Sequence, residues 1–125
     1  MGEELVLQSK LADRWEHIYR VLPRFDAEYE ICNWFTGTHP QSPYRNNLIA
    51  ARPGPNRTRL TLYNDRFNIR HVSGEVERRI LRDEAHYRHV IGDEFGLALS
   101  ELDLRTALAH VAQRATPGPP HPFFA

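Results

Sequence analysis

Cys32 and His39 are the residue types from which a thiolate nucleophile and its base are built. Their spacing does not require the side chains to meet across Gly37, and the expected place of Cys32 is that of a small buried hydrophobe. His86 and His89 stand at i and i+3 with Glu84 and Asp93 nearby, a pattern from which one helix face can ligate a metal. No third strong ligand accompanies them, so a solvated helix face is the expectation. Arg78, Arg79 and Arg82 could grip phosphate bidentately, but Glu75, Glu77, Asp83 and Glu84 surround them and an ion-paired surface is expected. His71 shares strand parity with Phe67 and Ile69 and reads as a core-edge histidine. Gly54 and Gly74 lie in hairpin connections rather than before helices, so neither forms a phosphate-cradling loop. The densest run of distinctive residues is Glu30 to Tyr44, which places Trp34, Phe35, a Thr38-His39-Pro40 turn and Tyr44 close together.

The elements that must position these residues begin with two short strands, Leu5–Gln8 and Glu16–Val21, joined by a charged connection from Ser9 to Arg14. Ile18 breaks the polar alternation of the second strand, which implies partial cover on both faces. Pro23 ends that strand because it has no amide proton for the ladder. Asp26 is placed to cap a short helix on which Tyr29, Cys32 and Asn33 share a face, with Gly37 and Pro40 stopping it. From Asn47 the pattern is that of an antiparallel meander: Leu48–Arg52, Arg59–Tyr63, Arg66–Val72 and Glu75–Leu81, with turns at Asn64-Asp65 and Ser73-Gly74. Asp83 caps a helix running to Phe95, striped by Tyr87, Val90, Ile91 and Phe95, and Gly96 stops it. Ser100 with Asp103 resembles a capping box before a helix striped by Leu104, Ala107, Leu108 and Val111. Thr116–Ala125 reads as a mobile tail, the alternative being that Phe123 and Phe124 dock. The fold class is α+β: an antiparallel sheet of about four strands with packed helices, preceded by two further strands and a short linking helix.

The bulk numbers bound the function. A chain of 125 residues fits one ordinary domain. Sixteen basic residues balance 16 acidic ones, so nothing global would hold a nucleic-acid backbone. No apolar run is long enough to span a membrane, and the acidic start carries no signal-peptide stretch. A single cysteine leaves no internal disulfide and fits a reducing cytoplasm.

Asn33-Trp-Phe-Thr-Gly-Thr-His-Pro-Gln-Ser-Pro-Tyr44 resembles the Asn-Trp-Tyr-x-Ser-Thr-His-Pro-x-Ser-x-Phe pattern of arylamine N-acetyltransferases. The strand from Trp15 to Pro23 is similar to the last strand of that family's barrel domain. The meander, the Glu77-Arg78-Arg79 strand and the helix ending in Phe95-Gly96-Leu97 resemble its C-terminal lid. The resemblance implies the following organisation: barrel strands in 1–23, a linking helix and Thr-His-Pro loop in 24–45, an α/β lid in 46–99, a C-terminal helix in 100–115 and a disordered tail in 116–125.

It also implies acetyl transfer from acetyl-CoA to an arylamine or hydrazine, with no metal. In the family a Cys-His-Asp triad makes a thiolate that accepts the acetyl group and passes it to the amine. Those positions precede the region that aligns with this chain, which implies no catalytic residue here and no transfer by this chain alone. Tyr44 matches an aromatic that lines the acceptor pocket, the alternative being that it packs under its loop. Phe35 and Gln41 match positions near bound CoA. A rival reading is a binding module that pairs with a separate N-terminal half or holds CoA, because two barrel strands alone leave an open edge.

Overall fold

A computed structural model describes residues 4–11, 13–21, 25–99 and 103–115. Pro23 as a strand stop, Ser100 in a capping box and the tail at 116–125 fall outside the described residues.

The chain is α+β. Strands β1 (Leu5–Leu11) and β2 (Arg14–Val21) form an antiparallel pair separate from the main sheet. Both are longer than expected, because most of the charged Ser9–Arg14 stretch is strand rather than turn. A ribbon open to water accepts Lys10 and Arg14 at no desolvation cost. Ile18 breaks alternation for a local reason: the register slips between Leu7 and Gln8, pairing Tyr19 with Leu7 and His17 with Gln8, and Ile18 is the extra residue of a bulge. The partial cover inferred from it is not seen. Trp15, Ile18, Tyr19 and Val21 are all exposed.

Helix α1 (Asp26–Thr38) follows. Its cap is not the Asp26 side chain: Glu28 reaches back one turn and accepts from the Phe25 amide at 2.9 Å. Gly37 lies inside the helix, which ends one residue later because His39 takes an extended conformation. None of its residues is buried, and Cys32, expected inside, is exposed. A short turn of helix, α2 (Pro43–Asn46), leads into the main sheet.

That sheet is a meander in the order β3 (Ile49–Pro53), β4 (Arg59–Tyr63), β5 (Arg66–Arg70), β6 (Val76–Ile80). Opposite pairs include Ala50 with Leu62, Leu62 with Phe67, and Phe67 with Arg79. At the β4–β5 turn only Asn64 takes a positive φ, 55°; Asp65 does not. Gly74 has φ 91° at the β5–β6 turn.

Leu60, Leu62 and Phe67 project onto α3 (Glu84–His89) and the wide turn Val90–Glu94 that continues it. The expected helix from Asp83 to Phe95 therefore changes form midway. The Phe95 amide donates to the Val90 carbonyl at 2.9 Å, five residues back, and this wider turn lets Val90, Ile91 and Phe95 all enter the core. Asp83 caps α3 through the His86 amide at 2.9 Å, as expected. Gly96 ends the segment at φ 69°. A Cβ there would sit 3.1 Å from Arg52 Nη1, which donates to the Phe95 carbonyl at 2.7 Å and ties the sheet edge to the helix end.

Helix α4 (Leu104–Arg114) is capped by Asp103, which accepts from the Thr106 amide at 3.0 Å. Leu104 and Leu108 join the core, while Ala107, expected in the stripe, is exposed. Glu84 bonds both Arg88 and Arg105, bracing α3 against α4.

Candidate functional site

The segment from Phe35 to Asn47 is fixed by its own polar groups. Ser42 is fully buried, and its hydroxyl donates to the Thr36 carbonyl at 2.6 Å, closing the chain back on the end of α1. Pro43 at the first position of α2 supplies a helical φ where no amide donor is needed. Arg45 donates to the Thr38 carbonyl and Asn46 to the Pro40 carbonyl, so both ends of the loop are tied to one another.

The loop is also tied to the sheet. Asn64 donates to Asn47 Oδ1 at 2.9 Å and accepts from the Leu48 amide at 2.9 Å. The left-handed backbone at Asn64 aims its amide at these two groups; asparagine tolerates that conformation and carries both a donor and an acceptor. From the other side, His110 Nε2 on α4 donates to the Arg45 carbonyl at 3.0 Å.

On this frame sit the residues that the sequence singles out. Tyr44 is 67 % exposed, its ring facing water rather than packing under the loop. Phe35 stacks on His39 with centroids 4.5 Å apart and rings 20° from parallel, and Trp34 meets His39 edge-on at 5.9 Å. Gln41 follows directly, its backbone N–H donating to His39 Nδ1 at 3.1 Å. Accepting at Nδ1 places the imidazole proton on Nε2. His39 is thus engaged with Phe35, Trp34 and Gln41, and not with Cys32.

The sequence reading missed His39 as the keystone of the aromatic stack and Ser42 as the buried latch. The Ser-Pro pair was the available signal for a helix start, although Ser42 bonds back to Thr36 instead of capping α2.

The other histidines singled out, and Arg79 of the arginine cluster, settle against carboxylates. His86 faces Asp83 at 3.5 Å, and His89 faces Asp93 at 2.8 Å. His71 bonds Glu77 at 2.7 Å, holding that carboxyl below the usual carboxylate range with help from Arg79. Arg79 also lies 3.9 Å from Glu94. Hydrogen bonds from Arg88 and Arg105 hold Glu84 low, and those from Thr106 hold Asp103 low.

The N-acetyltransferase family model matches residues 1–104. The chain belongs to the arylamine N-acetyltransferase family. It is 30% identical over 102 residues to the arylamine N-acetyltransferase of Escherichia coli strain K12, covering 80% of this chain and 36% of that protein. It is 26% identical over 120 residues to the Mycolicibacterium smegmatis enzyme of the same name, covering 90% of this chain and 41% of the relative. The structure of Mycobacterium marinum arylamine N-acetyltransferase in complex with CoA superimposes with a TM-score of 0.72 at 28% identity, over 93% of this chain and 43% of that one. The chain therefore spans well under half the length of these relatives. No helix among the described residues is long and apolar enough to cross a membrane.

Proposed function

We propose that this chain supplies the acceptor-side and CoA-side wall of an acetyl-CoA-dependent arylamine N-acetyltransferase, the triad coming from sequence outside it. The observation that carries the reading is the pinned loop: its backbone is latched by Ser42, Asn47 and Asn64, yet it holds Tyr44 outward. An ordered loop that presents an aromatic ring to solvent suits contact with an aryl amine or hydrazine. Phe35 stacks on His39 and the Gln41 backbone N–H donates to it, and an aromatic ring and a carboxamide side chain are group types suited to adenine or pantetheine. Within this scheme Cys32 is not the nucleophile, since His39 is engaged elsewhere. The cysteine stands exposed, which fits the reducing cytoplasm where we place the activity.

A second reading is favoured by the N-terminal third. Both faces of the β1–β2 ribbon are open, and Phe25, Tyr29, Ile31 and Trp34 leave α1 with an apolar surface facing water. Such a surface fits a complementation module that docks on the N-terminal part of an arylamine N-acetyltransferase.

The test begins with the chain, acetyl-CoA and an arylamine or hydrazine, from which no product is expected. Adding the N-terminal part of a relative should restore transfer. In that complex Tyr44→Ala should lower kcat/KM for aryl acceptors about 3- to 10-fold, equivalent to an aromatic contact of ~0.5–1.5 kcal/mol. Turnover by the chain alone that disappears in Cys32→Ala would overturn the assignment.

A further inference from the structure

We infer that the cavity between α3, α4 and the β4–β5 turn is a binding site for a free α-amino acid with an apolar side chain. The cavity holds about 500 Å³, within the roughly 300–1,000 Å³ range of small-ligand sites. Its lining divides into an apolar part and a polar part.

The apolar part follows from helical spacing. Leu108, Val111, Ala112 and Ala115 fall at i, i+3, i+4 and i+7, so they share one face at the C-terminal end of α4. Leu104 and Leu108 carry α4 into the core. Beyond them the side chains shorten: Val111 and Ala115 are half-buried and Ala112 is exposed. These short side chains leave the space beside α3 unfilled. Tyr87 of α3 adds a half-buried aromatic ring to the lining.

The polar part is decided by which groups are already engaged. Glu84 accepts from Arg88 and Arg105, and Asp83 accepts from the His86 amide. Asn64 uses its carboxamide on Asn47 and on the Leu48 amide. Among the described residues, three lining side chains are left with no hydrogen bond or ion pair: the Asp65 carboxylate, the Arg82 guanidinium and the Tyr87 hydroxyl. Asp65 and Arg82 do not neutralise one another, although the Asp65 carbonyl accepts from the Leu81 amide at 2.8 Å and draws the two backbones together. The Asp65 charge does reach Tyr87: burial first, and that charge second, push the phenol above its ordinary pKa.

The ligand must therefore match one anion, one cation and an apolar face within a single small cavity. An α-amino acid carries all three on one carbon. Its ammonium suits the Asp65 carboxylate and the Tyr87 oxygen, its carboxylate suits the Arg82 fork, and its side chain suits the α4 face. A simple amine leaves Arg82 unmatched, a simple acid leaves Asp65 unmatched, and glycine leaves the apolar face wet. None of Tyr44, Phe35 and Gln41 lines this cavity, and absence of acetyl transfer would leave the site standing.

The test is titration of the isotope-labelled chain with L-phenylalanine, read from its backbone amide resonances. Saturable shifts centred on Arg82, Tyr87, Val111 and Ala112 are expected. Phenethylamine, hydrocinnamate and glycine should each bind at least about threefold more weakly. Asp65→Asn should weaken L-phenylalanine about three- to tenfold without weakening hydrocinnamate, and Arg82→Gln should do so without weakening phenethylamine. Ala112→Phe, at an exposed position, should block the cavity, while Arg78→Gln, outside it, should bind like the parent. Circular dichroism checks that each variant is folded. Shifts that do not saturate or that centre elsewhere, a simple amine or acid that binds as well as the amino acid, or affinity undiminished in both Asp65→Asn and Arg82→Gln would overturn the inference.

Discussion

Replacing Phe67 by alanine should remove a third or more of the stability of the sheet-and-helix half while leaving the tryptophan signal unchanged. Phe67 is 0 % exposed and meets Phe95 edge-on, with centroids 5.9 Å apart, while the Arg79 guanidinium lies 5.8 Å from its ring. Truncating such a ring costs the transfer energy of the lost atoms and leaves a cavity, together about 3–5 kcal/mol. At roughly 0.05–0.15 kcal/mol per residue, the sheet with α3 and α4 holds on the order of 3–10 kcal/mol in total. The loss is thus a third or more of what is there. Urea unfolding followed by far-ultraviolet circular dichroism should show the unfolding free energy fall by that amount, through a lower midpoint at constant slope. Val72→Ala, at an exposed position, should stay within about 0.5 kcal/mol of the parent. Both tryptophans lie in the open N-terminal third, Trp15 at 61 % and Trp34 at 57 % exposure. Their emission should therefore be that of hydrated indoles in either protein and should barely follow the transition. A loss below about 1 kcal/mol, or a large tryptophan change coincident with it, would refute the division between a packed half and an open one.

Two further outcomes follow from polar groups. Asn64→Ala gives up a tolerated left-handed residue, at about 1–2 kcal/mol, and strands the half-buried Leu48 amide, at roughly 1–3 kcal/mol. Asn64→Gly should recover only the conformational part, and urea midpoints of the two variants separate the contributions. Glu77, Glu84 and Asp103 are all held below their ordinary pKa. Their unfolded forms bind protons first, so the stability that they add is present above about pH 4 and is lost as pH falls through their depressed folded values. They should add no slope between pH 7 and 5. Glu84→Gln should flatten the acid limb of a plot of midpoint against pH, and an unchanged limb would remove Glu84 as a contributor.

The meander was legible because its signals are local. Asn64-Asp65 and Ser73-Gly74 mark tight turns, alternation in Leu60, Leu62 and Phe67, Ile69 marks the inward face, and Asp83 and Gly96 punctuate the helix between them. What was not legible depends on neighbours. Charged Lys10 and Arg14 look like turn residues unless the ribbon is known to be open on both sides. Cys32 reads as a buried hydrophobe on an apolar helix, but burial is decided by what packs on α1, and no local pattern carries that. The Asp26 cap failed because the helix starts one residue earlier than expected: Phe25 is the N-cap and Asp26 already the first helical residue. At the site, the aromatic run was visible as composition, whereas the stack of Phe35 on His39 and the latch from Ser42 to Thr36 required the loop to close. The hollow lined by Lys10, Arg57 and Arg70 was not legible for the same reason: these residues lie far apart in sequence and meet only when ribbon and sheet come together.

The wide turn at Val90–Glu94 is in effect a single-residue insertion absorbed without a loop. An α-helix advances about 100° per residue, so one residue more or fewer would rotate everything after it by more than a quarter turn. Here the extra residue is taken up as a bulge, and Phe95 still arrives against Phe67. Length variation at this point among related sequences would then be silent in the core. An ungapped alignment through it would pair Phe95 and Leu97 with the wrong positions, so the bulge marks where a one-residue gap belongs.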